Sequence, residues 1–239
     1  MKTSVLIPAY NEAKTFPAVL EKLSALTLDM EVVAVDDGSS DGTLEWLRAA
    51  AGSGKYPFPV KVLAHDRNMG KGSALRTAMQ AAEGEALVIQ DADLEYDPSH
   101  IPALVEPIFS SGFEVVYGSR RLSGKSETYS RLYLLGNEFL TLLTNLLCGS
   151  RMTDSYTGYK AFKKDVAAGL GLKSRGFEVE AEISVKVAMR GFRFAEIPVV
   201  YRSRSREEGK KICWKDAFRG VLTIISVWFS ELRRDSEKD

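Results

Sequence analysis

Cysteine and histidine are scarce in this chain, with only Cys148, Cys213, His65 and His100 among 239 residues. So few ligands, so far apart, exclude a zinc cluster or a Cys–His nucleophile pair, and both cysteines read as packed thiols. Net charge is lacking too. The 32 basic and 32 acidic residues cancel, so no global field draws the chain to nucleic acid or an anionic membrane, and any such attraction must be local. Long hydrophobic runs are missing: Leu142–Cys148, broken by Thr144 and Asn145, and Val221–Phe229 fall short of the roughly 20 residues of a membrane-spanning helix. No signal peptide precedes Ser4, which makes a cytoplasmic protein the expectation. Phosphate-loop signatures are also absent. GSGKY (Gly52–Tyr56) lacks a Ser/Thr after its lysine, NMGKGSA (Asn68–Ala74) lacks the spacing, and no GxGxxG follows the first apolar run, so a dinucleotide cofactor is not expected. Two readings stand for Gly70 and Gly72: a tight turn into a helix, or backbone approach to a diphosphate.

What is present is alternation. The runs Ser4–Tyr10, Glu31–Asp37, Val60–Asp66, Ala86–Asp93 and Glu114–Arg120 read as strands. Helical patterns at Ala13–Leu26, Thr43–Ala51, Gly72–Glu83 and Ser99–Ser111 separate them. Near-continuous apolar strands alternating with helices predict one α/β domain over residues 1–239, with a mainly parallel sheet flanked by helices. Several strands end in polar residues: Tyr10-Asn11-Glu12, Asp36-Asp37, Asp66, and Asp91 with Asp93. Ligands of open α/β sheets bind beyond the carboxyl ends of the strands, so that edge is the expected site. The second half carries an apolar helix at Tyr129–Cys148, a turn-rich stretch Asp154–Phe162 and a helix at Phe177–Arg190. A strand at Phe192–Tyr201, a charged stretch at Arg202–Lys211 and an amphipathic helix at Trp214–Leu232 follow.

Four acids sit at one strand tip. Asp91 and Asp93, two residues apart, can aim both carboxylates at one cation where the chain bends, and Glu95 adds a third oxygen. All-oxygen ligands favour Mg²⁺ or Mn²⁺. Asp36 and Asp37 at the same edge add repulsion that a cation would relieve. Asp97-Pro98 reads instead as a helix cap. Two basic groups, Arg120/Arg121/Lys125/Arg131 and Arg202/Arg204/Arg206/Lys210/Lys211, are either solvated surface or anionic-phosphate recognition. Aromatic interleaving is too thin for single-stranded nucleic acid.

The motifs VLIPAYNE, VDDGSSDGT, NMGKGSALRTAM, DADLEYDP, VVYGSR, DSYTGYKAF and EIPVVYRSR occur in order. On these, from about Ser4 to Ile225, the chain resembles family 2 glycosyltransferases of the Rossmann-like GT-A fold, in the branch of dolichol- or polyprenyl-phosphate mannosyl- and glucosyltransferases. The resemblance implies a nucleotide-sugar half at about 1–120 and an acceptor half at about 121–239. It implies that Pro8, Tyr10, Glu12 and Asp37, with Lys71 and Asp91, hold the nucleotide sugar. Asp91 and Asp93 match its metal motif, and Glu95 stands where mannose-transferring members carry a glutamine ligand, which adds charge to the site. Arg120, Arg131, Arg204 and Lys210 match basic positions that hold the acceptor phosphate and donor diphosphate in that family. Asp93, Arg120 and Glu182 are the implied catalytic set, Glu182 lying near the family's base position. A phosphate monoester acceptor is largely ionised at neutral pH and needs positioning rather than a base. A hydroxyl acceptor, soluble or glycan, would need Glu182. The implied partners are a nucleotide sugar and a polyprenyl phosphate. For the two apolar helices, contact with the inner face of the cell membrane and packing on the sheet or in a homodimer both stand.

Overall fold

The computed structural model describes residues 1–124, 131–203 and 214–236. Seven strands form one sheet: β1 (Thr3–Ala9), β2 (Met30–Asp36), β3 (Val60–Ala64), β4 (Ala86–Ile89), β5 (Val115–Ser119), β6 (Lys160–Lys163) and β7 (Phe194–Pro198). Their order is β3-β2-β1-β4-β6-β5-β7, and every pairing is parallel except those of β6 with β4 and β5. The helices are α1 (Phe16–Ser24), α2 (Thr43–Gly52), α3 (Lys71–Ala81), α4 (Ile101–Ser110), the short α5 (Arg120–Ser123), α6 (Arg131–Cys148), α7 (Lys164–Gly169), α8 (Val179–Met189) and α9 (Trp214–Ser236).

The strand sequences account for the layering. Successive side chains leave opposite faces of a strand. Val5 and Ile7 of β1 therefore join Phe16, Leu20 and Leu104 on one side, while Leu6 joins Leu75, Leu87 and Ile183 on the other. Burying each such Leu or Ile side chain is worth roughly 1.5–3 kcal/mol. The central strands β2, β4 and β5 are buried throughout, whereas the edge strands β3 and β7 are half-buried. A third, smaller cluster of Leu140, Ala181, Val185 and Ile224 joins α6, α8 and α9.

The predicted sheet is present with one strand more. The turn-rich stretch Asp154–Phe162 runs into β6, which is too short to show a period and is bounded by lysines. The strand expected to reach Asp93 ends at Ile89, which frees Asp91 and Asp93 from the ladder. Asp97 caps as expected, accepting a hydrogen bond from the Ser99 amide at 2.9 Å.

Candidate functional site

Beyond the carboxyl ends of β1, β2 and β4 lies a cavity of about 670 Å³. β1 pairs with β2 on one side and β4 on the other, so the crevice is the switch point where chain progression reverses. Pro8, Tyr10, Glu12, Asp37, Lys71, Asp91, Asp93, Glu95 and Arg120 all line it.

Two loops at the β1 and β2 ends are laced together. Asn11 turns with φ +55°, donates its amide to Ser39 Oγ and accepts from the Ser40 amide at 2.8 Å. Glu12 is buried, its amide donates to Thr43 Oγ1 at 3.0 Å, and its carboxylate accepts from Thr15 at 2.8 Å. Asp37 accepts the amides of Met69 at 2.9 Å and Gly70 at 2.7 Å, with His65 Nδ1 2.7 Å away. It therefore fixes the loop that opens α3, where Gly70 has φ +92°, a conformation other residues rarely adopt.

That loop places Lys71 at the first turn of α3, its Nζ 2.7 Å from Asp91 Oδ1 and 3.1 Å from Glu180 Oε1. Burial works against the Lys71 charge, but Asp91 and Glu180 outweigh it and hold its pKa above the ordinary value. Burial also pushes Asp91 up to about 6, against the pull of Lys71 and with repulsion from Asp93 adding to the rise. Glu180 accepts in turn from the fully buried Lys160. Burial raises Glu180, yet Lys160 and Lys71 together keep it below the ordinary carboxylate range. Four buried or half-buried charges thus alternate in sign from Lys160 through Glu180 and Lys71 to Asp91.

The acid loop bends at Leu94, φ +61°, and Asp93 Oδ1 accepts the Glu95 amide at 3.0 Å. Glu95 accepts from Tyr201 Oη at 2.6 Å. Arg120 makes a two-pronged pair with buried Asp154 at 2.6 and 2.7 Å, and its guanidinium lies 5.3 Å from the Tyr201 ring centroid. Asp91 and Asp93 fit a hard divalent cation. They offer oxygen only, and a Cβ on Gly158 would come 2.7 Å from Asp91 Oδ2, so glycine leaves that oxygen its approach. Among the described residues no group of three or more His, Cys, Asp or Glu side chains could hold a metal ion. One or two carboxylates plus substrate phosphate and water are the usual Mg²⁺ set.

Glu182 lies apart from the other expected catalytic residues, Asp93 and Arg120. It does not line the cavity; its oxygens accept the amides of Lys173 and Ser174 and the Lys186 ammonium at 2.6 Å. Glu180 faces the cavity instead. Helix α8 is buried almost all round, so no amphipathic pattern distinguished Glu178, Glu180 and Glu182. Arg204 and Lys210 lie outside the described residues, as does the side chain of Arg131 at the start of α6. Sequence reasoning also missed Tyr96, Tyr156, Arg175, Tyr201 and Arg219 in the lining. Tyr96, Tyr156 and Tyr201 lie inside the motifs DADLEYDP, DSYTGYKAF and EIPVVYRSR, and only the fold brings Arg219 of α9 there.

The model of the family "Glycosyl transferase family 2" matches residues 4–171. A dolichol-phosphate mannosyltransferase of Pyrococcus furiosus is 33% identical over 88% of this chain, which spans 59% of that enzyme's length. An undecaprenyl-phosphate mannosyltransferase of Micrococcus luteus is 28% identical over 88% of this chain and 87% of its own. Glucosyl-3-phosphoglycerate synthase from Mycobacterium tuberculosis, solved with Mg²⁺ and uridine diphosphate, superposes with TM-score 0.69 at 22% identity, covering 96% of this chain and 79% of that one. Mannosyl-3-phosphoglycerate synthase from Rubrobacter xylanophilus gives TM-score 0.71 at 18% identity over 99% and 75%. At such identity the structural likeness speaks for the fold, which is GT-A. With more than half its length matched by the family model, the chain belongs to glycosyl transferase family 2.

Proposed function

We propose that this chain transfers a hexose from a nucleotide sugar, GDP-mannose or a UDP-hexose, to a polyprenyl phosphate, with inversion and with Mg²⁺ or Mn²⁺. The observation that carries this reading is the meeting of Asp91, Asp93 and Lys71 in one cavity with the laced Tyr10–Glu12 and Asp37 loops. The relatives named for polyprenyl-phosphate substrates support the acceptor class.

The nucleoside would lie against Pro8, Tyr10, Glu12 and Asp37, with the diphosphate over the Lys71–Asp91 ion pair and beside Asp93. A divalent cation bound by Asp91 and Asp93 would supply charge for the leaving diphosphate, while Glu95, expected as a third ligand, is held by Tyr201 and forms no three-carboxylate group with them. Lys71, fixed at the first turn of α3, adds a preorganised positive charge where negative charge develops. Arg120, held by Asp154, presents its guanidinium to the acceptor side of the cavity, toward which the motif pattern also assigns Arg131, Arg204 and Lys210. An ionised acceptor phosphate requires no proton removal. That suits a site in which Glu182 is committed to backbone amides and Glu180 to two ammonium groups.

The apolar surface supports a lipid acceptor. Leu135, Phe139, Leu142 and Leu146 of α6 and Phe218, Leu222 and Phe229 of α9 are all more than half exposed. Arg219 on α9 lines the cavity, so the same helix joins the site to this face. Patches of this kind mark interaction surfaces, and we assign it to the cytoplasmic leaflet. Among the described residues no helix is long and apolar enough to cross a membrane.

The test is a panel of labelled GDP-mannose, UDP-glucose and UDP-GlcNAc offered to polyprenyl phosphate with Mg²⁺, Mn²⁺ or EDTA. Transfer from one donor, lost in EDTA and in Asp93→Ala, is expected. Transfer only to a water-soluble acceptor would replace the lipid reading with a hydroxyl or soluble-phosphate one.

A further inference from the structure

Residues 173–178 end the connection from α7 to α8, and Arg175, Gly176, Phe177 and Glu178 form one wall of the cavity. The loop has little regular secondary structure of its own, yet it is gripped from both sides. On the α8 side, Glu182 accepts the Lys173 amide at 2.9 and 3.0 Å to its two oxygens and the Ser174 amide at 2.7 Å. Lys186 balances that carboxylate at 2.6 Å. Glu178 accepts the amides of Arg175 at 3.2 Å and Gly176 at 2.9 Å.

On the other side stands the first turn of α3. The Ser73 amide donates to the Arg175 carbonyl at 3.1 Å, and the Arg76 guanidinium donates to the Ser174 carbonyl. Contact is too close for a side chain: a Cβ on Gly70 would fall against the Arg175 carbonyl, and one on Gly72 against that of Ser174. The carbonyls of Ser174 and Arg175 thus face α3 while their amides face α8. The wall is keyed to the turn that carries Lys71.

We propose that Glu182 is a positioning residue and that the 173–178 wall it holds determines which hexose the cavity accepts. This rests on the transfer reading above. With the nucleoside at Pro8–Glu12 and Asp37 and the diphosphate over the Lys71–Asp91 pair, the Arg175–Glu178 wall beside the first turn of α3 is a face left for the sugar. A wall held by backbone hydrogen bonds presents fixed contacts, and fixed contacts discriminate between epimers where a yielding loop would not.

The substitution Glu182→Gln separates the alternatives. A glutamine has one acceptor oxygen, so its amide nitrogen must point a donor at the Ser174 and Lys173 amides or at the Lys186 ammonium. The grip loosens with little change of volume. Gly72→Ala tests the same wall from the α3 side by displacing the Ser174 carbonyl.

Initial rates with GDP-mannose and UDP-glucose, pH profiles, and deuterium exchange at the amides of residues 173–176 are the readouts. In Glu182→Gln the KM for the preferred donor should rise on the order of tenfold while kcat stays within about threefold. The pH profile of kcat should keep its shape, the preference between the two donors should narrow, and the 173–176 amides should exchange faster. Gly72→Ala should shift donor preference in the same direction. A collapse of kcat with loss of one limb of the pH profile, at unchanged KM, would make Glu182 a base and overturn the proposal. Lower thermal stability with unaltered kinetics and donor preference would reduce it to a folding contact, which also overturns it. A wild-type chain that uses none of GDP-mannose, UDP-glucose and UDP-GlcNAc removes the transfer reading, and with it the hexose assignment; unchanged exchange in Glu182→Gln removes the grip itself.

Discussion

Lys160 is fully buried, with its ammonium on Glu180, on the Thr157 carbonyl and 4.8 Å from the Tyr117 ring centroid. Replacing it with methionine keeps most of the volume and deletes the charge. Glu180 is then left in a site with almost no solvent access, and breaking a buried pair from one side costs about 3–5 kcal/mol. Lys71, 3.1 Å from the other Glu180 oxygen, remains as a partner and sets the expectation at the low end, about 3 kcal/mol. For a chain of this length each kcal/mol moves the melting temperature by roughly 2–4 °C, so Lys160→Met should melt about 6–12 °C lower. The companion variant Lys160→Met/Glu180→Gln removes both charges and should lose less than the sum of the two single losses, by about 1 kcal/mol or more. Calorimetry at pH 7 on the four proteins closes the cycle. A drop below about 2 °C for Lys160→Met, or strict additivity in the cycle, would refute the alternating-charge account.

Two further outcomes follow from groups outside the cavity. Burial works to raise the Asp97 carboxyl, but Lys22 at 2.6 Å and the Ser99 amide at 2.9 Å prevail and pull it down to about 2. A carboxyl depressed by folding stabilises above its ordinary value of 3.8, and the contribution fades as pH falls towards 2. Asp97→Asn should therefore be less stable than wild type at pH 7 and equal to it near pH 2. The gap stays below about 1 kcal/mol because both partners are well exposed. Urea unfolding at both pH values measures it, and a gap that persists at pH 2 would contradict the assignment. The exposed faces of α6 and α9 should carry the chain upward with polyprenyl-phosphate vesicles in flotation, and the pair Phe139→Ser and Phe229→Ser should abolish it. Flotation unaffected by the pair would place the lipid contact elsewhere.

The layered sheet was legible because strands such as β2, β4 and β5 are buried on both faces, which leaves near-continuous apolar runs in the sequence. β6 was not, since a four-residue strand bounded by lysines shows no period, and one of those lysines is charged yet wholly buried. The site divides along the same line. Residues such as Asp37, Asp91 and Asp93 announce themselves because they follow directly on strands whose ends the fold must gather at one edge. The contribution of α8 depends on three glutamates at alternate positions, Glu178 just before the helix and Glu180 and Glu182 in its buried first turn. Local sequence cannot say which of the three meets substrate when all their neighbours are apolar. The partners decide: Lys71 and Lys160 converge from α3 and β6 on Glu180, while the backbone amides of the preceding loop take Glu182. A carboxylate saturated by amides serves best as an anchor. One set between two lysines fixes the position of Lys71, so the two glutamates serve the same first turn of α3, Glu182 through the wall beside it and Glu180 through its side chain.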